Sequence, residues 1–328
     1  LALFQSLALA WTIAVAAAAF GAGSGWRFGV VAAIVTFATP AAVFSNFIMP
    51  DIFAGLLMAG MATMATRLPR LSMGVRILLV LLIAFSVASH ASHPPLALGL
   101  LLVAGPLLWM LAETRGRWMS TTAWLAAPVL LGIVATAATN FIGFGDASLA
   151  AKRYPLALAR SIEDGPAKWY LEEECAKAPR YAICEVYPDG LPSRVPDLLW
   201  PPNGLVGKAT AEQMDRIRDQ EQEIVLAAAK RYPSVQADRT ASNILSQMIR
   251  IGVKDVRVDA RMEPSPPKVA ELGSREPRML WLRDWIDRIS LATAAASLVA
   301  AALFWRRIPA SGRTAFALVL LGLAGNAV

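Results

Sequence analysis

Long apolar runs separated by short polar gaps dominate residues 1 to 145. A hydrocarbon core about 30 Å thick needs roughly 20 apolar residues in each crossing helix. The first run, Leu1 to Ala22, has this length. The intervals from Arg27 to Arg67 and from Arg76 to Arg115 are about twice as long, so each predicts two helices joined at a tip. The pattern therefore predicts an all-α polytopic membrane protein.

The two predicted hairpins have distinctive tips. The first is broken at Met49-Pro50-Asp51, where proline disfavours a helical residue before it and suits the first turn of the next helix. The second is broken between His90 and Pro95. Thr121 to Gly143 predicts one further span, which gives a transmembrane bundle of about six spans over residues 1–145.

The chain becomes polar after residue 145, and residues 146–278 predict a separate, mostly helical domain with long connections. Helices are predicted at Tyr154–Asp164, from the capping-box sequence Thr210-Ala-Glu-Gln213 to Tyr232-Pro233, and at Thr240–Ile251. Prolines and glycines crowd Pro188–Lys208, which is predicted to be a loop.

Residues 279–328 predict an interfacial helix followed by C-terminal spans. Ile289 to Trp305 is expected to recross the bilayer, and Thr314 to Val328 begins another crossing. Because the chain begins and ends inside apolar runs, we expect it to be a fragment truncated at both ends.

Composition and charge agree with a membrane protein and predict its orientation. Hydrophobic residues make up 56% of the chain, beyond the usual range of soluble domains. The basic residues of the membrane part are Arg27, Arg67, Arg70, Arg76, Arg115, Arg117, Arg283, Arg288, Arg306, Arg307 and Arg313. When the predicted bilayer crossings are counted, the arginines in the short loops between spans all fall on the same side of the membrane. The positive-inside rule identifies that side as the cytoplasm. We therefore expect a bacterial inner-membrane protein whose residues 146–278 lie in the periplasm.

The distribution of charge also indicates the partners. Residues 146–278 contain 20 basic and 20 acidic residues, so the net charge of +7 belongs to the membrane part. That excess suits loops at an anionic lipid bilayer. A nucleic-acid-binding protein would carry the excess on its polar domain, so nucleic acid is not an expected partner.

Cys175 and Cys184 both fall in the domain predicted to face outward. An oxidising compartment permits a disulfide between them, and two unrelated buried thiols are the alternative. The domain has no histidine and no Gly-x-Ser-x-Gly or phosphate-binding loop, so it shows no enzyme motif of its own. Its aromatic residues form either a sugar-stacking surface or a core: Trp169, Tyr170, Tyr181, Tyr187 and Trp200.

Asp51 is the leading candidate for chemistry, because ionisable groups near the bilayer usually face a bundle interior or a wet cavity. It is predicted to act as a general base or as a ligand of a divalent metal ion such as Mg²⁺ or Mn²⁺, and a helix N-cap is the alternative. Asn46 is close enough in sequence to support substrate binding.

Two further pairs are candidate substrate-binding residues. His90 and His93, three positions apart, could bind a metal ion or a phosphate, and a polar helix end is the alternative. Lys152 and Arg153, just beyond a span, could hold a lipid phosphate or anchor the chain at the interface.

Several phrases resemble an uncharacterised family of bacterial polytopic inner-membrane proteins. The phrases are Met49-Pro-Asp-Ile-Phe-Ala-Gly-Leu56, Ser89-His-Ala-Ser-His-Pro-Pro-Leu-Ala-Leu-Gly99, Asp164-Gly-Pro166 and Tyr170-Leu171 before Cys175. More distantly, short spans with an outward acid at a helix start resemble the GT-C glycosyltransferases. That resemblance implies sugar transfer from a polyprenyl-phosphate-linked donor, with Asp51 at a secondary acidic position.

The sequence therefore leaves three candidate functions. The first is a GT-C glycosyltransferase acting on an envelope acceptor at the periplasmic face. The second is a non-catalytic membrane protein whose periplasmic domain binds a protein partner, not yet identified, in envelope assembly. The third is a transporter, which is the weakest because no charge lies within a visible span.

Overall fold

Every regular element of the described residues is helical. The structure is a computed structural model that describes residues 1–46, 50–110, 115–149, 151–177, 180–200, 203–249, 252–253 and 267–326. The helices are α1 (Ala2–Ala19), α2 (Gly25–Phe37), α3 (Ala41–Phe44), α4 (Asp51–Arg67), α5 (Met73–Ala88), α6 (His93–Met110), α7 (Trp118–Phe144), α8 (Leu156–Asp164), α9 (Pro166–Lys177), α10 (Ala182–Val186), α11 (Val195–Leu199), α12 (Leu205–Lys208), α13 (Ala211–Arg231), α14 (Pro233–Ile249), α15 (Pro267–Leu303) and α16 (Ala310–Asn326), with a 3-10 turn at Leu68–Arg70.

The chain forms two compact units. The first, the helical bundle, comprises Leu1–Thr139 and Ser246–Val328, and the second comprises Asn140–Leu245. The domain limits inferred from composition, 1–145, 146–278 and 279–328, stay a prediction.

The helical bundle contains the candidate membrane spans. Five helices are long and apolar enough to cross a bilayer: Ala2–Ala19, Asp51–Arg70, His93–Met110, Trp118–Phe144 and Leu280–Leu303. Three more are apolar but shorter: Gly25–Phe37, Met73–Ala88 and Ala310–Gly325. The described residues are therefore all-helical, as predicted, and their several candidate spans indicate a multi-pass protein in a lipid bilayer.

The first arm of the first predicted hairpin is not one continuous helix. Helix α2 ends at Phe37, and the four-residue α3 begins only after Pro40. Proline disfavours helical geometry at Thr39, and the Thr39 hydroxyl donates to the Val35 carbonyl oxygen at 2.6 Å. This arm is therefore shorter than its apolar run suggests, whereas α4, α5 and α6 lie close to their predicted positions.

Helix α4 is the central element of the bundle. It packs against α1, α5, α6 and α16, and 13 of its 17 residues are buried. Between Asp51 and Arg67 it carries no charged side chain. Since α4 rises about 1.5 Å per residue, its two terminal charges are roughly 24 Å apart along the helix axis.

Small residues permit the close packing of neighbouring helices. A Cβ atom at Gly132 of α7 would lie 2.5 Å from the Val87 Cβ and 2.8 Å from the Ala84 carbonyl oxygen, both in α5. Glycine therefore lets α5 and α7 approach more closely than any other residue would, as is common between membrane helices.

We predict that Gly132→Ala destabilises the bundle, because the added methyl overlaps backbone and Cβ atoms that cannot rotate away. Overpacking of this kind costs about 1–3 kcal/mol. The matched control is Gly99→Ala in α6, where nothing lies within 4 Å of the added Cβ. Thermal unfolding of the purified protein in detergent should show a lower midpoint for Gly132→Ala alone, and equal midpoints for the two variants would contradict this packing.

The second unit has its own hydrophobic core. Fully buried side chains come from six of its helices: Leu158 and Ile162 of α8, Leu171 of α9, Ile183 of α10, Leu198 of α11, Leu205 of α12, and Ile217 and Ile224 of α13. The capping box predicted at Thr210 is confirmed, since the Thr210 hydroxyl accepts the Gln213 N–H and the Gln213 side chain accepts the Thr210 N–H.

Two predictions for this unit are wrong in detail. The segment predicted as a loop, Pro188–Lys208, contains two short helices, α11 and α12. Helix α11 tolerates Pro196 because this proline lies in its first turn, where the missing N–H costs nothing. Helix α14 begins at Pro233 and not at the predicted Thr240, because proline is also tolerated at this first helical position. The predicted end at Ile251 lies outside the described residues.

Candidate functional site

Asp51 begins α4 at one end of the bundle. Pro50 rather than Asp51 occupies the cap position, so the alternative role of Asp51 as the N-cap is not the arrangement observed. The Asp51 side chain is exposed, and it accepts no hydrogen bond from any other described residue. Its charge lies in the first helical turn, where the helix dipole favours an anion.

His93 begins α6 and is held in one orientation. The side chain is 2% exposed, and its Nδ1 lies 2.6 Å from the Ser86 carbonyl oxygen. Because a carbonyl oxygen only accepts, Nδ1 must donate, which leaves Nε2 of the neutral imidazole as the atom with a free lone pair. The Ser89 hydroxyl also donates to the Ser86 oxygen, at 2.8 Å, and lies 3.3 Å from the His93 Nδ1.

His90 has the opposite arrangement. The Ser92 backbone N–H donates to its Nδ1 at 3.3 Å, and the Ser92 hydroxyl lies 2.8 Å from the same nitrogen. The neutral ring therefore carries its proton on Nε2, which is a donor. The two rings are 5.3 Å apart between centroids, so a donor imidazole and an acceptor imidazole lie side by side.

The structure brings two of the sequence-predicted residues into contact, His90 and His93 at the start of α6. Helix α4, which begins at Asp51, packs against α6, and the Asp51 charge acts on His93 over a longer distance. We call this end of α4 and α6, with Asp51, His90 and His93, the acid–imidazole end. Asn46 follows α3 and is exposed, and its side-chain amide donates to the Ala42 carbonyl oxygen at 2.8 Å. Residues 47–49, which link Asn46 to this group, lie outside the described residues, so its role stays a prediction.

Three aromatic rings lie beside the acid–imidazole end. Phe53, two residues after Asp51, packs edge-on against Phe85, which directly precedes Ser86, with centroids 5.0 Å apart. Phe4 of α1 packs against Phe85 at 5.3 Å. From these rings an apolar groove of about 460 Å³ runs between α1 and α5 as far as Trp11 and Leu78.

Lys152 and Arg153 belong to the second unit and already pair with carboxylates there. The Lys152 Nζ donates to Asp215 at 2.7 Å between half-exposed side chains. That hydrogen bond and the charge of Lys152 hold the pKa of Asp215 below its usual range. Arg153 instead forms an ion pair with Glu221 without aligned hydrogen-bond geometry, and Glu221 is 2% exposed and also accepts the Leu158 N–H at 3.0 Å.

We predict that Arg153→Gln destabilises the second unit far more than Lys152→Gln. Removing Arg153 leaves the buried Glu221 carboxylate without its cation, which costs about 3–5 kcal/mol, whereas an exposed pair such as Lys152–Asp215 contributes less than about 1 kcal/mol. The midpoints of thermal unfolding of the two full-length variants measure these two losses of stability. Equal midpoints for the two variants would show that Arg153 has no structural role and would favour phosphate binding.

The predicted cysteine pair and aromatic residues have clear locations in the second unit. Cys175 and Cys184 are joined by a disulfide between α9 and α10. Tyr181 and Tyr187 lie in the core, where burial raises the pKa of each phenol. Trp169 and Trp200 are instead exposed, and each packs edge-on against a tyrosine: Tyr232 and Tyr154 respectively.

Sequence reasoning missed the groups that orient the site. Ser86, Ser89 and Ser92 surround the two histidines, and a serine repeated every three residues beside a histidine pair is the signal that could have identified them. Among the described residues, no three His, Cys, Asp or Glu side chains are grouped to hold a metal ion. Comparison of the chain with protein-family models, curated proteins and solved structures gives no match.

Proposed function

We propose that the protein is a glycosyltransferase of GT-C type in the bacterial inner membrane. It transfers a sugar from a polyprenyl-phosphate-linked donor to an envelope acceptor at the periplasmic face. The observation that supports this most is the acid–imidazole end, where Asp51 lies in electrostatic range of a buried histidine at the end of an apolar bundle. Ionisable groups so placed are uncommon unless they serve substrate or proton transfer.

The adjacent groove supports a lipid-linked donor. Phe4 and Phe85 line its end beside Ser86, and the other lining residues are Ala8, Trp11, Leu78, Leu81 and Leu82. An isoprenoid chain in this groove would keep its apolar surface away from water and bring its phosphate to His90 and His93. An apolar groove that ends near polar groups supports a substrate with an apolar chain and a polar head.

The proposed mechanism uses the side chains in distinct roles. The bond between the sugar C1 and the donor phosphate oxygen breaks as the acceptor oxygen bonds to C1. Asp51 takes the acceptor hydroxyl proton as the acceptor oxygen attacks C1, and the His93 Nε2 lone pair accepts a hydrogen bond from a second hydroxyl of the bound sugar, which orients the sugar. The His90 Nε2–H donates to the departing phosphate, whose charge grows as the bond breaks. The substrate-binding roles predicted from the sequence for Asn46, Lys152 and Arg153 stay predictions and are not used in this mechanism.

Charge and cysteine chemistry support the proposed side of the membrane. The arginines of the 67–76 and 115–117 segments are separated from Asp51 by the length of α4, and basic loops favour the cytoplasm. The acid–imidazole end then faces the periplasm. The disulfide in the second unit suits an oxidising compartment.

We predict that Asp51→Asn lowers sugar transfer at least about 100-fold, because the amide cannot accept the proton. The measurement is release of polyprenyl phosphate from a radiolabelled polyprenyl-phosphate sugar in membranes that contain equal amounts of each variant. The control is Asp146→Asn, another exposed carboxylate, which among the described residues accepts hydrogen bonds from Ser148 alone.

Unchanged turnover in Asp51→Asn would remove this residue from the reaction. A metal-assisted version, in which Asp51 holds Mg²⁺ or Mn²⁺, predicts that chelation abolishes transfer and that either ion restores it. Transfer that is insensitive to chelation would leave Asp51 with the role of a base alone.

A second candidate function is supported by the second unit. Its own core, its disulfide and its two exposed aromatic pairs are features of a domain that binds a protein partner. In that case a strain that carries Asp51→Asn should assemble its cell envelope as the wild type does. A strain that carries Trp200→Ala, with a normal thermal-unfolding midpoint, should show an envelope defect. The reverse pattern supports the transferase.

A further inference from the structure

The opposite end of the bundle contains a polar cavity. Its volume is about 170 Å³, roughly ten times the space that one water needs. Its polar lining residues are Thr66, Arg67, Arg70, Arg117, Thr121 and Ser311, which come from the end of α4, the 3-10 turn and the starts of α7 and α16. Three separate chain segments thus converge on one small space.

Helix α1 positions two of the three arginines. The Arg70 guanidinium donates to the Ala19 carbonyl oxygen at 3.2 Å, and the Arg67 guanidinium lies 4.6 Å from the centroid of Phe20. A guanidinium has five N–H donors, so one carbonyl contact leaves Arg70 with donors for a ligand. Arg117, just before α7, completes the set from another direction.

Arg70 and Arg117 give the cavity a positive charge. Within the described ranges, neither Arg70 nor Arg117 forms an ion pair with a carboxylate, and Glu113, the nearest acid in sequence to Arg117, lies outside those ranges. The first turns of α7 and α16 add the positive ends of two helix dipoles. The guanidinium charges of Arg70 and Arg117 repel one another across the cavity, and a bound anion offsets that repulsion.

We propose that this cavity, the arginine cavity, binds a phosphate group. Arginine forks match phosphate oxygens bidentately, and the hydroxyls of Thr121 and Ser311 supply further donors. The cavity accepts one phosphate group, either from an anionic phospholipid headgroup or as a free phosphate ion. It is separate from the acid–imidazole end and does not depend on the proposed transferase activity.

The test measures thermal unfolding of the full chain in nanodiscs, with two probes. One arm compares inorganic phosphate with chloride at equal ionic strength in phosphatidylcholine. The other arm compares phosphatidylglycerol with phosphatidylcholine nanodiscs without added phosphate. A higher unfolding midpoint in inorganic phosphate would show that the cavity binds the free phosphate ion. A higher midpoint with phosphatidylglycerol alone would show that it binds the phosphate of a lipid headgroup.

Paired variants locate the binding. Arg70→Gln with Arg117→Gln should weaken the apparent affinity for the stabilising probe about tenfold or more, because charge-assisted hydrogen bonds are lost. The control is Arg27→Gln with Arg115→Gln, which removes the same charge from two arginines that lie beside Trp26 and Trp109 and outside the cavity lining. The apparent affinity of the control pair for the same probe should stay within about twofold of the wild-type affinity.

Two results would overturn the proposal. One is a wild-type midpoint that neither phosphate nor phosphatidylglycerol changes, a result that needs no variant to fold. The other is an equal loss of affinity in the control pair, which would indicate only general attraction to anions. If the double variant does not fold, Arg117→Gln alone, at an exposed position, should still weaken binding, and unchanged affinity would count against the site.

Discussion

The exclusion of charge from the length of α4 is the constraint on which the rest of the bundle depends. A charge within a bilayer is costly unless it is paired or hydrated, and α4 carries none between Asp51 and Arg67. Its other side chains are almost all buried by α1, α5, α6 and α16. Other helices of this unit leave large apolar side chains exposed, as in Leu102 of α6, Leu130 of α7 and Leu298 of α15, where lipid would cover them. Polar chemistry is therefore confined to the two ends of the bundle.

The two ends differ chemically because the chain supplies them with different residues. The acid–imidazole end has one carboxylate and two imidazoles whose tautomers are set by the Ser86 carbonyl and the Ser92 N–H. The arginine cavity has three guanidinium groups held partly by the end of α1. One end is suited to accept and donate protons, and the other is suited to bind an anion. Their separation by the length of α4 permits both in one bundle.

Features that depend on local sequence were the easier ones to predict. Apolar run lengths predicted the bundle class, Pro50 predicted the start of α4, and Thr210 with Gln213 predicted a capped helix. Helix α11 was missed in Pro188–Lys208, because proline breaks a helix interior but suits a first turn, where Pro196 lies.

Contacts between distant residues could not be read from the sequence. Glu221 is buried beside Arg153 although 67 residues separate them, and nothing in its local pattern distinguishes it from solvated acids. The contact of His93 with the Ser86 carbonyl crosses the break between α5 and α6, so it depends on the geometry of that turn. The convergence of Arg70, Arg117 and Ser311 likewise needs the packed bundle.

The most direct test of this account is the accessibility of the two ends from opposite sides of the membrane. Single cysteines replace Ala91, beside His90, or Gly116, beside Arg117, both at exposed positions. The native cysteines are joined in a disulfide and do not react without reduction. A membrane-impermeant maleimide should label position 91 in right-side-out vesicles and position 116 only in inverted vesicles. Labelling of both positions from the same side, or the reverse pattern, would contradict the account.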